Sequence, residues 1–232
     1  MCLPTPMYED GFADLSIVEG ALDELAAIPG EKVVFFIRRK KFAMAHKQQW
    51  DFCNSVKHKF PQHFRNVKVL DIGSFDVNGN EAFLFQDSEF TGLDLGPGPG
   101  VDVVCPAQDY DAPNETYDTI ISCECWEHNP YYAESIKNAV RMLKRNGLFL
   151  FTCATVGRPV HGVASLEEIS KKSNTTWKTM PNVSRISWDN EYYKNLTETD
   201  IRSILDVEEV FSSYQFSVNQ EHCDLYFWGI KR

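Results

Sequence analysis

The sequence predicts an α/β fold: a doubly wound, mostly parallel seven-stranded sheet with helices on both faces and an N-terminal helical cap. Three observations predict it. From Val67 onward, short and continuously apolar runs alternate with helical patterns, as parallel strands covered on both faces require. Two of those runs, Val67-Lys-Val-Leu-Asp71 and Phe90-Thr-Gly-Leu-Asp94, end in a carboxylate, and the first continues into a glycine turn at Gly73. The composition is that of an ordinary globular domain, 43% hydrophobic and 24% charged over 232 residues, enough chain to bury a sizeable core.

Residues 1–62 read as the cap. Leu15, Val18, Leu22, Leu25 and Ala26 recur at helical spacing, and Pro29-Gly30 ends the pattern. The apolar run 33–37 fits strand or helix, and periodicity does not decide between them. A helix is expected over 42–60, with Phe52, Cys53, Val56 and Phe60 on one stripe and Pro61 as its stop.

Residues 63–232 read as the core domain. Strands are expected at 68–72, 90–95, 101–105, 119–122 and 148–153, joined by right-handed crossovers. A helix is expected over 134–144, where Ile136, Ala139, Val140 and Leu143 form one face and Gly147 can serve as its C-terminal turn. After the fifth strand comes an insertion at about 154–196, too long for a simple connection. It holds Gly157-Arg-Pro-Val-His161-Gly162, a helical piece over 166–172, and the aromatics Trp177, Trp188, Tyr192 and Tyr193, and it reads as a lid or a substrate wall. Thr197-Glu-Thr-Asp200 reads as a capped helix start running to Leu205. Two further strands, 207–214 and 222–230, are expected to pair at the edge of the sheet.

Charge and cysteine content bound the partners. The net charge of −10 disfavours nucleic acid, and Arg38-Arg-Lys-Lys41 is the one dense basic run. No apolar run approaches membrane-spanning length and the N-terminus lacks a signal-peptide pattern, so a cytoplasmic protein with no membrane partner is expected. Seven cysteines without paired spacing argue against a disulfide framework. Cys123-Glu-Cys125 has no second Cys or His pair at ligand spacing, so no metal is expected.

Two acidic strand ends at the carboxyl edge of one sheet suit a ligand that offers hydroxyl and ammonium groups. A dinucleotide needs closely spaced glycines and a helix N-terminus free for its pyrophosphate. Here the turn is Gly73-Ser-Phe-Asp-Val-Asn-Gly79, without G-x-G-x-x-G, and Asp71 and Asp76 would repel phosphate. Gly96-Pro-Gly-Pro-Gly100 reads as a stiff connection, because prolines remove the amide donors that a phosphate cradle needs.

In five segments the sequence resembles the class I, Rossmann-like S-adenosylmethionine-dependent methyltransferases, in particular their small-molecule, type 11-like branch. Val67-Lys-Val-Leu-Asp-Ile-Gly73 is similar to the first motif of that family, and Phe90-Thr-Gly-Leu-Asp94 to its second-strand motif. Asp102-Val-Val-Cys-Pro-Ala-Gln108-Asp109 is similar to the adenine-side motif. Tyr117 to His128 is similar to the fourth-strand motif with its Glu-His pair, and Met142 to Phe151 to the helix, glycine and fifth strand that follow. Two positions depart from the pattern: Phe75 replaces a frequent second glycine, and Pro106 a frequent Asp.

The resemblance implies S-adenosyl-L-methionine as cofactor and a small or medium-sized acceptor, with O-methylation slightly favoured. A nucleic-acid or protein acceptor, and a non-catalytic cofactor-binding relative, are the alternatives. It further implies that Asp71 organises the glycine turn and faces the methionine ammonium, that Gly73 lets the backbone approach without a Cβ clash, and that Ser74 belongs to the cofactor-binding residues. Asp94 would accept bonds from the ribose hydroxyls, Leu95 would pack on adenine, and Ala107 and Gln108 would recognise its edge. Ser122 or Cys123 would touch the methionine part through the backbone. His128, after the fourth strand, and His161, after the fifth, are the candidates for a general base. For both histidines a surface or capping role is the alternative.

Overall fold

A computed structural model describes residues 3–4, 47–76, 79–161 and 192–232 of the chain. The helical patterns at 15–26 and 166–172, the run at 33–37, the basic cluster, Trp177 and Trp188 lie outside the described residues. The strands are β1 (Leu3–Pro4), β2 (Lys68–Ile72), β3 (Glu89–Asp94), β4 (Val103–Val104), β5 (Tyr117–Cys123), β6 (Leu143–Ala154), β7 (Phe211–Asn219) and β8 (Asp224–Lys231). The helices are α1 (Lys47–Lys59), α2 (Tyr132–Met142), α3 (Glu198–Ile204) and α4 (Val207–Val210).

All eight strands form one sheet in the order β1-β4-β3-β2-β5-β6-β8-β7. β4, β3, β2, β5 and β6 run parallel, while β8 pairs antiparallel with both β6 and β7. The seven expected strands are therefore β2 to β8, and β1, a two-residue strand antiparallel to β4, is an eighth that no periodicity announced. Among the described residues no helix is long and apolar enough to cross a membrane.

Side chains that alternate across the pleat build a core on each face of this sheet. Val69, Ile121, Leu148 and Leu150 point to one face, where Cys53 and Val56 of α1 cover them together with Phe64, Leu84 and Trp228. Leu70, Ile120, Phe149 and Phe151 point to the other, where Ile136, Ala139 and Met142 of α2 and Ile201 of α3 meet them. Each such side chain taken fully out of water stabilises the fold by roughly 1.5–3 kcal/mol. Helices thus cover both faces, as the continuous apolar runs predict.

Three local expectations are corrected. Val207–Val210 is a turn of helix and not the start of a strand: the Asp206 carboxylate accepts from the Glu209 amide at 3.0 Å and caps it. β7 then starts at Phe211. α2 ends at Met142, where Leu143 turns extended, so Gly147 ends no helix. It lies within β6, where a Cβ would come within 2.8 Å of the Lys144 carbonyl and 2.9 Å of the Asp118 carbonyl in β5, so close backbone approach is what requires glycine there. The capping box at α3 is present as expected: the Thr197 hydroxyl accepts from the Asp200 amide, and the Asp200 carboxylate accepts from the Thr197 amide.

Candidate active site

The carboxyl ends of β2, β3, β5 and β6 lie side by side, and the residues singled out in the sequence gather there in two groups. The first stands at β2 and β3. Asp71 is fully buried in β2, and among the described residues no N–H or O–H group donates a hydrogen bond to either of its carboxylate oxygens. Beside it is a second buried acid, Glu81, on the short 3-10 turn Glu81–Leu84. Burial, then Glu81, and then Asp94 hold the Asp71 carboxyl well above its ordinary range. Burial pushes Glu81 up to about 7. Among the described residues this pair of buried acids has no cationic partner, a costly arrangement that a bound ammonium would relieve.

Asp94 ends β3 with its carboxylate facing the same edge. Its Oδ2 accepts from the Phe75 amide and its Oδ1 from the Gly96 amide, both at 3.3 Å. These bonds use one lone pair on each oxygen and leave the others for further donors. Burial raises its pKa, against the lowering by these loop amides. Leu95 follows, partly exposed.

The loop between Asp71 and Glu81 is shaped by its neighbours. Gly73 has φ +85°, and a Cβ there would meet the Cys125 side chain at 2.8 Å. Ser74 is buried, and its hydroxyl oxygen has no partner among the described residues. The Phe75 ring, at the position where a second glycine is usual, packs on Gly98, whose Cβ would come within 2.0 Å of it. The Asp76 amide donates to the Pro99 carbonyl at 2.8 Å. Gly100, at φ +85°, leaves no room for a Cβ beside the Ser74 carbonyl, 2.6 Å away. The segment Gly96-Pro-Gly-Pro-Gly100 is therefore the packing partner of the loop, and its glycines admit that contact.

On the adenine side of the family pattern, Ala107 is buried and its carbonyl accepts from Asn138 Nδ2 at 2.8 Å. Gln108 Oε1 accepts from the Ser135 hydroxyl at 3.2 Å, and Asn129 Nδ2 donates to that same hydroxyl at 2.9 Å. Ser122 is fully buried, its hydroxyl donating to the Ile72 carbonyl at 2.8 Å and tying β5 to β2. Cys123 is a free thiol that burial pushes up in pKa.

The second group stands at the ends of β5 and β6. Trp126–His128 forms a 3-10 turn after β5, and His161 follows β6 by seven residues. The two imidazole rings are 5.0 Å apart between centroids, and the Tyr193 ring lies 5.3 Å from His128 and 5.0 Å from His161. Burial lowers the pKa of both histidines, His128 to about 3, so both are neutral at physiological pH. Glu127 is fully buried beside them, and burial followed by Glu124 raises it well above its ordinary range.

A framework that the sequence did not reveal supports this group. Arg158 donates to the His222 carbonyl at 2.7 Å and to Asp224 at 3.1 Å, and its second terminal nitrogen lies 3.7 Å from Glu124. Glu124 in turn accepts from the Thr152 hydroxyl, which accepts from Gln49. The segment that returns from the insertion is fixed on the same edge: the Lys194 amide donates to the Glu127 carbonyl and the Leu196 amide to the Ala154 carbonyl. Of the four expected aromatic wall residues, Tyr193 stands on the histidine pair and Tyr192 precedes it, partly exposed.

Residues 70–151, which span β2 to most of β6, match the family model described as a methyltransferase domain. Over these residues the chain is similar to that domain. Solved structures share the fold of this segment and its flanking elements. A Burkholderia thailandensis 1,6-didemethyltoxoflavin-N1-methyltransferase, solved with 1,6-didemethyltoxoflavin and S-adenosylhomocysteine, matches 99% of this chain and 94% of its own at 14% identity and a TM-score of 0.53. The PH0226 protein of Pyrococcus horikoshii OT3 matches 82% of this chain and 93% of its own at 14% identity and a TM-score of 0.53. A Haemonchus contortus phosphoethanolamine N-methyltransferase 2, solved with S-adenosyl-L-methionine, matches 78% of this chain but 52% of its own, at 15% identity and a TM-score of 0.51. No curated protein matches the sequence.

Proposed function

We propose that this chain is a methyltransferase that moves a methyl group from S-adenosylmethionine to a small or medium-sized acceptor, with an oxygen nucleophile favoured. The observation that carries this reading is the division of one sheet edge into an acid-rich half and a histidine-rich half. S-adenosylmethionine, when bound, supplies a methyl group on a positively charged sulfur. Asp71 and Glu81 would take its ammonium, and Asp94 its ribose hydroxyls through the lone pairs left by Phe75 and Gly96. Leu95 would pack on the adenine, with Ala107 and Gln108 at its edge. Ser74, Ser122 and Cys123 would line the methionine part.

Displacement at a sulfonium asks the protein mainly to align the acceptor and exclude water. His128, His161 and Tyr193 are placed to do so. The neutral His161 imidazole would take the proton of a hydroxyl nucleophile while His128, its pKa held at about 3 by burial, would position that hydroxyl, and this favours oxygen over an amine that attacks already deprotonated.

Incubation of the purified chain with methyl-labelled S-adenosylmethionine and pooled small acceptors tests the reading. The expected result is S-adenosylhomocysteine release, with label appearing in one acceptor class. Cofactor binding with no transfer to any pool would favour a non-catalytic relative instead. NADH should not bind, and a micromolar dissociation constant for it would revive an oxidoreductase.

A further inference from the structure

We infer that Glu127, His128 and His161 form a binding site for a divalent first-row transition-metal ion, open toward the acceptor side of the edge. One ligand atom from each of the three residues lies within 4.8 Å of the other two. Two imidazoles and one carboxylate are a donor set suited to zinc, manganese, iron or cobalt rather than calcium or magnesium. Bond lengths of about 2.0–2.2 Å would bring these atoms to roughly 3–3.5 Å from one another. Small side-chain rotations can cover that difference, because His161 is only partly buried and lies on a connection after β6.

Glu127 supplies the independent observation. Its side chain is fully buried, and among the described residues neither carboxylate oxygen makes a hydrogen bond of normal geometry, although the amides of Glu127 and Ala154 face it. The hydrogen-bonding capacity of a buried carboxylate is rarely left unused, and a cation among the three side chains would use it.

The charges around the site suit a cation. With Glu127 ionised, Glu124, Glu127 and Asp224 set three negative charges against the one positive charge of Arg158. Arg158 is itself engaged by Glu124 and Asp224, so its charge is largely answered before an ion arrives. The His161 Nδ1 atom lies 3.0 Å from the Pro159 carbonyl. As a donor there it leaves Nε2 for the metal, the orienting arrangement common in histidine metal sites.

Three protein ligands leave further positions on such an ion for oxygens. With the ion bound the imidazoles are ligands and not bases, and an acceptor that coordinates through a hydroxyl would lose its proton to solvent more readily instead. Its oxygen lone pair would then form the bond to the methyl carbon as the carbon–sulfur bond breaks and sulfur keeps the electron pair. This role rests on the methyl-transfer reading, while the metal site itself does not.

The test is metal binding by the purified full chain. After dialysis against a chelator, the protein is titrated with Co2+, Mn2+ and Zn2+, followed by calorimetry and, for Co2+, by visible absorption. One saturable ion per chain is expected. H161A and E127Q should each weaken it at least about tenfold, with S-adenosylhomocysteine affinity within twofold of the parent. If E127Q does not fold, H161A alone decides between the two outcomes. Absence of saturable binding for all three ions, or binding unchanged in H161A, overturns the site. An ion bound by a chain that does not bind S-adenosylhomocysteine would instead overturn the methyl-transfer reading and leave the site standing.

Discussion

The two halves of the sheet edge differ in how they are built. The acid-rich half draws Asp71, Asp94 and Glu81 from β2, β3 and the turn between them, a stretch of 24 residues counted from Asp71 to Asp94. The histidine-rich half joins Glu127 and His128 to His161 and Tyr193, which belong to connections far apart in the chain. The first half is local and fixed by strand register. The second depends on the Arg158 framework and on the return of residues 192–196 across the edge. A binding pocket can be local, but a reacting group has to be brought to it.

This contrast separates affinity from turnover, and substitutions can break it. The largest effect is expected from His161→Ala, a loss of about 10²–10⁴ in methyl-transfer rate. Cofactor affinity should stay within twofold, measured by calorimetry beside the kinetics. An equal fall in both would merge the two halves. Asp71→Asn should weaken cofactor binding roughly 10–100-fold without lowering the melting temperature, since it removes one buried acid from an uncompensated pair. A lower melting temperature in that variant would make the pair structural. Asp94→Ala should weaken binding at least about tenfold, as expected for charge-assisted hydrogen bonds, and unchanged affinity in a folded variant would remove the ribose role.

A titration sharpens the same comparison. Glu81 has its pKa raised from 4.5 to about 7, so the folded apoprotein holds a proton that the unfolded chain releases near 4.5. Its contribution to stability is present below about 4.5 and is lost as pH rises through about 7. Cofactor binding has the opposite sign, because an ammonium favours the ionised pair. Affinity should rise from pH 6 to 8 with proton release, visible as a buffer-dependent calorimetric enthalpy. The smallest effect is expected from Tyr193→Phe, which loses a 3.4 Å bond to the Pro159 carbonyl and keeps the ring on both histidines. It should change stability by no more than about 1 kcal/mol, read as a shift in thermal melting.

What the sequence discloses follows the same division. β2 coincides with the expected 68–72, and the α3 cap stands at Thr197, because apolar runs and capping residues act over a few positions. Val207 and Val210 read as strand from their branched side chains, until the Asp206 cap decides otherwise. Glu81 gave no signal, as nothing in its neighbours marks it as buried beside Asp71. His128, His161 and the Glu-His pair were legible one by one, but Arg158 and the meeting of Glu127 and His128 with His161 were hidden, since their partners lie across connections whose course depends on packing. Ligand spacing along the chain missed a candidate metal set assembled from two strand ends.

The contact of Phe75 with Gly98 bears on motion as well as shape. A ring locked against a glycine, with Gly100 closed on the Ser74 carbonyl and Asp76 bonded to Pro99, joins two connections into one body. They should open together or not at all. In hydrogen–deuterium exchange, the amides of 74–76 and 98–102 would then share one opening rate and slow in step when the cofactor binds.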